Sequence, residues 1–185
     1  MPAFPMFVDL KGKRVVVIGG GHLAWHKFSV LKPFEPDITV IAPDVCDRLK
    51  AENIKIIESA YEVEQLNDAD MVICAVDDKE LSKTISADCA LRHIPVNVVD
   101  EKDKCSFIFG SMITDGELSI GISTNGASPT AAHYMKEEIA KVIPEHFDEI
   151  LERLASTRRH ILDTTDPAER GQLLKEQFYQ LLNEQ

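Results

Sequence analysis

The residues best suited to chemistry form a glycine-rich turn near the start of the chain. Residues 19–24 read Gly-Gly-Gly-His-Leu-Ala and fit the pattern G-x-G-x-x-A, directly after a run of β-branched residues and before a helical stretch. Glycines in this pattern let the backbone turn tightly and approach a pyrophosphate, whose charge is stabilised by the N-terminus of the following helix. The turn therefore predicts a dinucleotide-binding site.

The end of the second predicted strand departs from the usual dinucleotide pattern. An acidic residue that binds the adenosine ribose is expected about twenty residues after the first glycine. This chain has Ile41, Ala42 and Pro43 there, and the nearest acid is Asp44. We expect the loop of Pro43 and Asp44 to hold the ribose instead. No arginine stands at this point to bind a 2′-phosphate, which favours NAD over NADP.

The sequence around this turn predicts an α/β fold. Apolar residues at helical spacing in 23–31 and 81–90 place helices between short β-branched runs, of which three are apolar almost throughout, as in parallel strands covered on both faces. The pattern predicts a Rossmann-like, doubly wound parallel sheet. Its five strands are predicted at 14–19, 38–42, 54–57, 71–76 and 95–99.

After Asp100 the pattern changes to a hairpin followed by helices. Residues 107–113 and 118–124 flank Asp115-Gly116, a dipeptide that favours a tight turn, and their open edges invite pairing as a homodimer. Ser128 is a predicted N-cap, with Pro129 at the first helical position. Helices are predicted near 129–142, 145–162 and 167–183. The predicted parts are a Rossmann domain in 1–104, a dimerisation region in 105–144 and a helical C-terminal region in 145–185.

Composition excludes several function classes. The chain has 20 Lys+Arg against 31 Asp+Glu, a formal net charge of −11, which argues against nucleic-acid binding because that relies on an excess of cations. We expect neither a signal peptide nor a membrane span, and a cytoplasmic location. The six histidines show no metal-ligand spacing, so no permanent metal site is expected. The cysteines form no C-x-x-C pair and are expected to be reduced thiols: Cys46, Cys74, Cys89 and Cys105.

Five motifs in order resemble a known family. They are PMFVDLKGKRVVVIGGGHLAWHK at 5–27, AVDD at 75–78, NVVD at 97–100, CSFIFGSMI at 105–113 and STNGASP at 123–129. Over about residues 4–145 the chain resembles precorrin-2 dehydrogenase, which is also the N-terminal part of sirohaem synthases. The resemblance implies a homodimer that oxidises precorrin-2 to sirohydrochlorin with NAD⁺. Some members also insert Fe²⁺ as a second substrate, and the sequence leaves open whether this chain chelates a metal and whether that metal is iron or cobalt.

The resemblance also implies site residues. Asp100, the aspartate of NVVD, falls on the position that the family uses for chemistry, and a carboxylate at the carboxyl end of strand five can accept the proton lost as hydride leaves the macrocycle. Ser128 is implied beside the substrate, with His133 as a second substrate-binding candidate. Val76 stands where the family has a hydroxyl group. The implied cofactor contacts are Gly19, Gly21, His22, Leu23, Pro43, Asp44, Ala75, Val76 and Asn97.

The substrate and the alternatives set further expectations. Precorrin-2 is a polycarboxylate, so an acidic protein must concentrate cations where it binds, and arginine suits this task because it pairs bidentately with carboxylates. An NAD-sensing regulatory module without catalysis is an alternative, although such a module does not need an aspartate after strand five. A chelatase that has lost dehydrogenation is another. The candidate cations are Lys136, Lys141, Arg153, Arg158 and Arg159.

Overall fold

The computed structural model describes residues 3–184, which form two compact units. Phe4–Phe109 make up the first unit, and Ala3 with residues 110–184 makes up the second. The predicted boundary near residue 144 stays a prediction. No helix in residues 3–184 is both long enough and apolar enough to cross a membrane.

The first unit is a five-stranded sheet in which every neighbouring pair is parallel. The strand order is β3-β2-β1-β4-β5, so the chain reverses its direction of winding between β1 and β4. This confirms the predicted doubly wound fold. The strands are β1 (Arg14–Ile18), β2 (Asp37–Ile41), β3 (Lys55–Ile57), β4 (Met71–Cys74) and β5 (Val96–Val98). The helices are α1 (His22–Leu31), α2 (Asp47–Lys50) and α3 (Lys79–Leu91), with 3₁₀ turns at Lys32–Phe34, Val63–Leu66 and Lys102–Lys104.

Two buried clusters, one on each face of this sheet, explain why its central strands are mostly apolar. Val15 and Val17 share one cluster with Phe28 of α1. Val16 alternates to the opposite face and belongs to the other cluster with Ile85 of α3. Because both faces are covered, the central strands are apolar almost throughout, with the buried Thr39 of β2 as an exception.

The first, second, fourth and fifth strands end earlier than predicted, the second by a single residue at Ile41. β1 ends at Ile18 because Gly19 has φ +120°, and β5 ends at Val98 because the chain turns at Asp100, which has φ +63°. β4 ends at Cys74, although Ala75 N still donates to Ile18 O at 2.8 Å. The carboxyl ends of these strands therefore open into loops rather than continuing the sheet.

The second unit begins with the antiparallel strands β6 (Ser111–Asp115) and β7 (Leu118–Ile122). Asp115 pairs with Leu118, so the two residues of the turn are Gly116 and Glu117, one position later than predicted. The predicted start of the first hairpin strand at residue 107 is wrong. Residues 107–109 belong to the first unit instead, where Asn97 Nδ2 donates to Phe107 O at 3.0 Å.

Three helices complete the second unit: α4 (Pro129–Ala140), α5 (Phe147–Thr164) and α6 (Arg170–Asn183). The predicted N-cap is confirmed, because Ser128 Oγ accepts a hydrogen bond from Ala131 N at 3.1 Å. α6 begins later than predicted, because Asp166 forms a turn in which its carbonyl oxygen accepts from Glu169 N at 3.0 Å.

Candidate functional site

The glycine turn lies where the loops after β1, β2 and β4 meet. A Cβ at Gly19 would approach the carbonyl carbon of Ala75 to 2.8 Å, and a Cβ at Gly20 would lie 2.8 Å from Val45 Cα. Both positions therefore need glycine so that the neighbouring loops can come close. A Cβ at Gly21 would meet no protein atom within 4 Å, so the turn is open on that side.

The N-terminus of α1 has the features of an anion-binding site. Gly21 is the N-cap residue, no side chain caps the helix and its first turn contains no acidic residue. His22 and Leu23 are its first two residues and both are exposed. Because the first N–H groups of a helix lack partners within the helix, these groups can bind a phosphate. The residues present thus fit the pyrophosphate of a dinucleotide.

The loop after β2 contacts the glycine turn. Cys46 N donates to Gly20 O at 2.8 Å, and the carbonyl oxygen of Asp44 lies against Gly20. Pro43 and Asp44 are both exposed. The structure therefore brings the two residues predicted to hold the ribose next to the turn predicted to hold the pyrophosphate.

A cleft of about 740 Å³ lies in the first unit at the carboxyl ends of β4 and β5. Leu23, Val76 and Asp100 line it, so three of the predicted site residues share one space. Ala75, directly before Val76, is buried beside the glycine turn. The other lining residues are Asp77, Lys79, Val99, Glu101, Lys102, Asp103 and Lys104.

Asp100 is exposed on this cleft in a left-handed backbone conformation. Val99 N still donates to Cys74 O at 2.9 Å, and Asp100 then turns away from the sheet with φ +63°. Aspartate and asparagine tolerate this conformation better than most residues do. The conformation therefore favours Asp or Asn at position 100, whatever the chemistry of the side chain.

The loop after Asp100 is held by a small polar network. Lys104 Nζ lies 2.7 Å from Glu101 Oε2 and 2.9 Å from the oxygen of Ser82, which is fully buried and donates to the other carboxylate oxygen of Glu101. The Lys104 ammonium and then the Ser82 hydroxyl hold the pKa of Glu101 below its usual value. Sequence reasoning missed this network because Ser82 lies on α3, 19 residues from Glu101.

Asn97 is a predicted cofactor contact that the structure places inside the protein. Its side chain is 5% exposed, and its nitrogen donates to Phe107 O. Its oxygen has no hydrogen-bond partner among the residues described. The contact with a cofactor stays a prediction.

Lys27 is a second residue that sequence reasoning missed. Its Nζ lies 4.6 Å from the centre of the Phe109 ring. Burial lowers the pKa of Lys27, whereas the charge of Asp100 acts to raise it. The sequence feature that could have identified Lys27 is its spacing from Leu23, because residues four apart share one face of a helix.

The predicted substrate residues Ser128 and His133 belong to the second unit. Ser128 caps α4, and His133 is exposed with Nε2 3.3 Å from Glu137 Oε1. Of the candidate cations, Lys141 lies 2.6 Å from a Glu138 oxygen and Arg153 lies 3.0 Å from a Glu184 oxygen. Residues 3–184 contain no group of three or more His, Cys, Asp or Glu that could hold a metal ion.

Two family models match the chain. Residues 6–111 match the family described as "Putative NAD(P)-binding". Residues 115–141 match the family described as "Sirohaem biosynthesis protein central". The first match covers the parallel sheet and the cleft, and the second covers β7 and α4.

Curated relatives of similar sequence carry the name siroheme synthase. One, from Thioalkalivibrio sulfidiphilus, is 36% identical over 148 residues, covering 78% of this chain and 30% of its own length. Another, from Blochmanniella pennsylvanica, is 32% identical over 188 residues, covering 97% of this chain and 38% of its own length. The chain thus spans well under half the length of these relatives.

A solved structure shares the fold. A protein titled "SirC, precorrin-2 dehydrogenase" superimposes with a TM-score of 0.76 at 22% identity, covering 98% of both chains. At this identity the likeness establishes the architecture of the sheet, the hairpin and the terminal helices.

Proposed function

Because the chain belongs to the NAD(P)-binding family that matches residues 6–111, we propose that it oxidises precorrin-2 to sirohydrochlorin with NAD⁺. One observation carries the proposal: an uncapped helix N-terminus behind the glycine turn adjoins a cleft that contains Asp100. The names of the siroheme synthase relatives and of the precorrin-2 dehydrogenase structure support the choice of substrate.

In this proposal, the cofactor is held by backbone groups. The N–H groups at the start of α1 bind the pyrophosphate, and the loop of Pro43 and Asp44 binds the adenosine ribose. Val76 and Leu23 border the reacting end of the cleft. When bound, NAD⁺ supplies the acceptor for a hydride. The absence of an arginine directly after β2 supports NAD rather than NADP.

Asp100 is proposed as the general base. Oxidation of precorrin-2 removes a hydride and a proton from the macrocycle, and the proton needs an acceptor close to the position from which hydride leaves. The Asp100 carboxylate lines the cleft at the carboxyl end of β5, where ligands of doubly wound sheets bind. After the transfer, the exposed carboxyl group can release the proton to water.

The second unit is proposed to bind substrate and to form a homodimer. Ser128 and His133 are the predicted substrate contacts there, and cations such as Arg158 suit the substrate carboxylates. Its sheet has only two strands, and Val142 is 77% and Tyr134 58% exposed. A two-stranded sheet is marginal alone, so we expect a second copy to cover these surfaces. Sedimentation at micromolar concentration should give twice the chain mass of 20.7 kDa, and a monomer would contradict the dimer.

The proposed reaction needs no permanent metal. Fe²⁺ enters only as a substrate, if this chain also completes sirohaem. The four cysteines are free thiols in the structure, which suits a reducing compartment such as the cytoplasm.

The test replaces Asp100 by asparagine. Asn keeps the shape of the side chain, removes its basicity and tolerates the left-handed backbone, whereas Ala would add strain. We expect kcat to fall by roughly 10²–10⁴ while NAD⁺ affinity is retained. Equal turnover of Asp100→Asn and the wild type, at saturating NAD⁺ and precorrin-2, would exclude Asp100 as the base.

The same assay separates the alternatives. A wild-type chain that binds NAD⁺ without oxidising precorrin-2 would favour the regulatory module. A chain that inserts Fe²⁺ into supplied sirohydrochlorin without oxidising precorrin-2 would favour the chelatase.

A further inference from the structure

Lys27 lies on α1, one helical turn beyond a residue that lines the cleft. Leu23 lines the cleft, and Lys27 lies one turn further along the same helix face. Four residues correspond to about 6 Å along the helix axis, so Lys27 is well removed from the N-terminal N–H groups that suit the pyrophosphate.

The surroundings of the Lys27 ammonium mark the reacting end of the cleft. Its Nζ lies 4.6 Å from the centre of the Phe109 ring, a distance at which a cation is attracted to the face of an aromatic ring. Asp100 is close enough to favour the charged form of Lys27. Both partners come from the segment that follows β5, whereas the ribose is predicted at Pro43 after β2. The ammonium therefore lies on the side of the predicted chemistry.

In residues 3–184 the Lys27 ammonium makes no hydrogen bond and no salt bridge within 4.0 Å, so Asp100 acts on its charge only from a longer distance. Its contact with Phe109 supplies no hydrogen-bond acceptor from a carboxylate or a carbonyl group. Lys104 differs, because its ammonium is tied to Glu101, to Ser82 and to the carbonyl oxygen of Lys79. An ammonium is a donor only, and a half-buried one gains most from a carboxylate.

We propose that Lys27 binds a carboxylate of the tetrapyrrole substrate and thereby positions the macrocycle beside Asp100. This inference rests on the proposed function. A carboxylate is the group that fits, because the ammonium lacks an acceptor within the protein and the substrate carries carboxylates around its rim. Phe109 adds a flat apolar contact that fixes the ammonium without neutralising it.

The experiment compares Lys27→Met with Lys27→Arg and with the control Lys83→Met. Methionine keeps the length of the apolar stem and removes the charge, whereas arginine keeps the charge. Lys83 is an exposed lysine on α3, so its replacement controls for the lost net charge. Trp25, the single tryptophan of the chain, lies on α1 two residues before Lys27, so quenching of its fluorescence by sirohydrochlorin reports binding.

We expect Lys27→Met to raise the Kd for sirohydrochlorin and the KM for precorrin-2 by roughly 10-fold, as for one lost charged hydrogen bond. NAD⁺ affinity, measured by calorimetry, should change less than about twofold relative to wild type. Lys27→Arg should restore most of the substrate affinity, and Lys83→Met should match wild type. A purely structural role would weaken NAD⁺ binding as well and would show no rescue by arginine.

Two results would overturn the inference. One is an unchanged Kd for sirohydrochlorin in a folded Lys27→Met variant. The other is a loss of NAD⁺ affinity with an unchanged KM for precorrin-2, because Lys27 would then serve the cofactor. If the wild type binds sirohydrochlorin but does not oxidise precorrin-2, the proposed function fails, while the Kd comparison still decides for or against Lys27.

Discussion

The two units of this chain bury their apolar residues very differently. In the first unit, residues such as Val16 and Val17 are fully buried in clusters on both faces of the sheet. In the described part of the second unit, the buried apolar residues are Ala132, Ile150 and Leu181. The first unit is therefore stabilised by its own core, whereas the second unit leaves apolar surface that we expect a second copy to cover.

The largest predicted effect is on cofactor binding in the first unit. Gly21→Asp adds a side chain and a negative charge where no protein atom interferes, so the fold should survive while a pyrophosphate is repelled. We expect the NAD⁺ affinity to fall at least about 100-fold in calorimetry, because several charge-assisted hydrogen bonds are lost.

Gly171→Asp is the matched control for this substitution. A Cβ at this exposed glycine of α6 also meets nothing within 4 Å. It should bind NAD⁺ like the wild type. Unchanged NAD⁺ affinity of a folded Gly21→Asp variant would disprove the position of the site.

The parallel sheet and the glycine turn could be predicted because local patterns determine them. A strand covered on both faces is apolar almost throughout, so the runs at 14–19 and 71–76 predict strands, and the structure has strands at 14–18 and 71–74. The glycine turn carries its own signature directly after β1. The N-cap at Ser128 is likewise a local effect, since its hydrogen bond spans three residues.

What the sequence did not predict depends on contacts between distant residues. Lys27 and Phe109 are in contact, although most of the first unit lies between them in the sequence. Ser82 donates a hydrogen bond to Glu101, although the rest of α3 and all of β5 lie between them in the sequence. The sequence of residues 107–109 resembles the start of a hairpin strand. Phe107 and Phe109 instead pack against the buried cluster of Val15, Val17 and Phe28 in the first unit, and this packing outweighs their strand propensity.

The second prediction compares the two cores by removing a buried isoleucine from each. Ile73 in β4 is fully buried, and Ile150 in α5 is 3% exposed within a much smaller core. We expect Ile73→Ala to lower the free energy of unfolding by about 4 kcal/mol and Ile150→Ala by about 2 kcal/mol, because a sparse core relaxes more easily around a cavity. Urea unfolding monitored by circular dichroism measures both. A larger loss for Ile150→Ala would contradict the comparison.

The smallest predicted effect concerns the buried thiols of the first unit. Burial raises the pKa of Cys74 from 9.0 to about 11 and that of Cys89 to about 12. Both should resist iodoacetamide at pH 8 in the native chain and react after unfolding in urea. Peptide mass mapping measures this, and rapid native labelling of both thiols would show that the core is open.

The same thiols give a pH dependence of stability. Their folded pKa values are raised, so the unfolded chain ionises first as pH increases. Stability should therefore be fully present below about pH 9 and should decline above it. Urea midpoints at pH 8 and pH 10, compared between wild type and Cys89→Ala, should show a smaller decline in the variant.

The most direct test of the account is the absorbance of wild-type protein mixed with precorrin-2 and NAD⁺. We predict the spectrum of sirohydrochlorin together with NADH, in equal amounts because each oxidation transfers a single hydride, and a much slower reaction with NADP⁺. A chain that binds NAD⁺ at the glycine turn yet forms neither sirohydrochlorin nor NADH would contradict the assignment as a dehydrogenase.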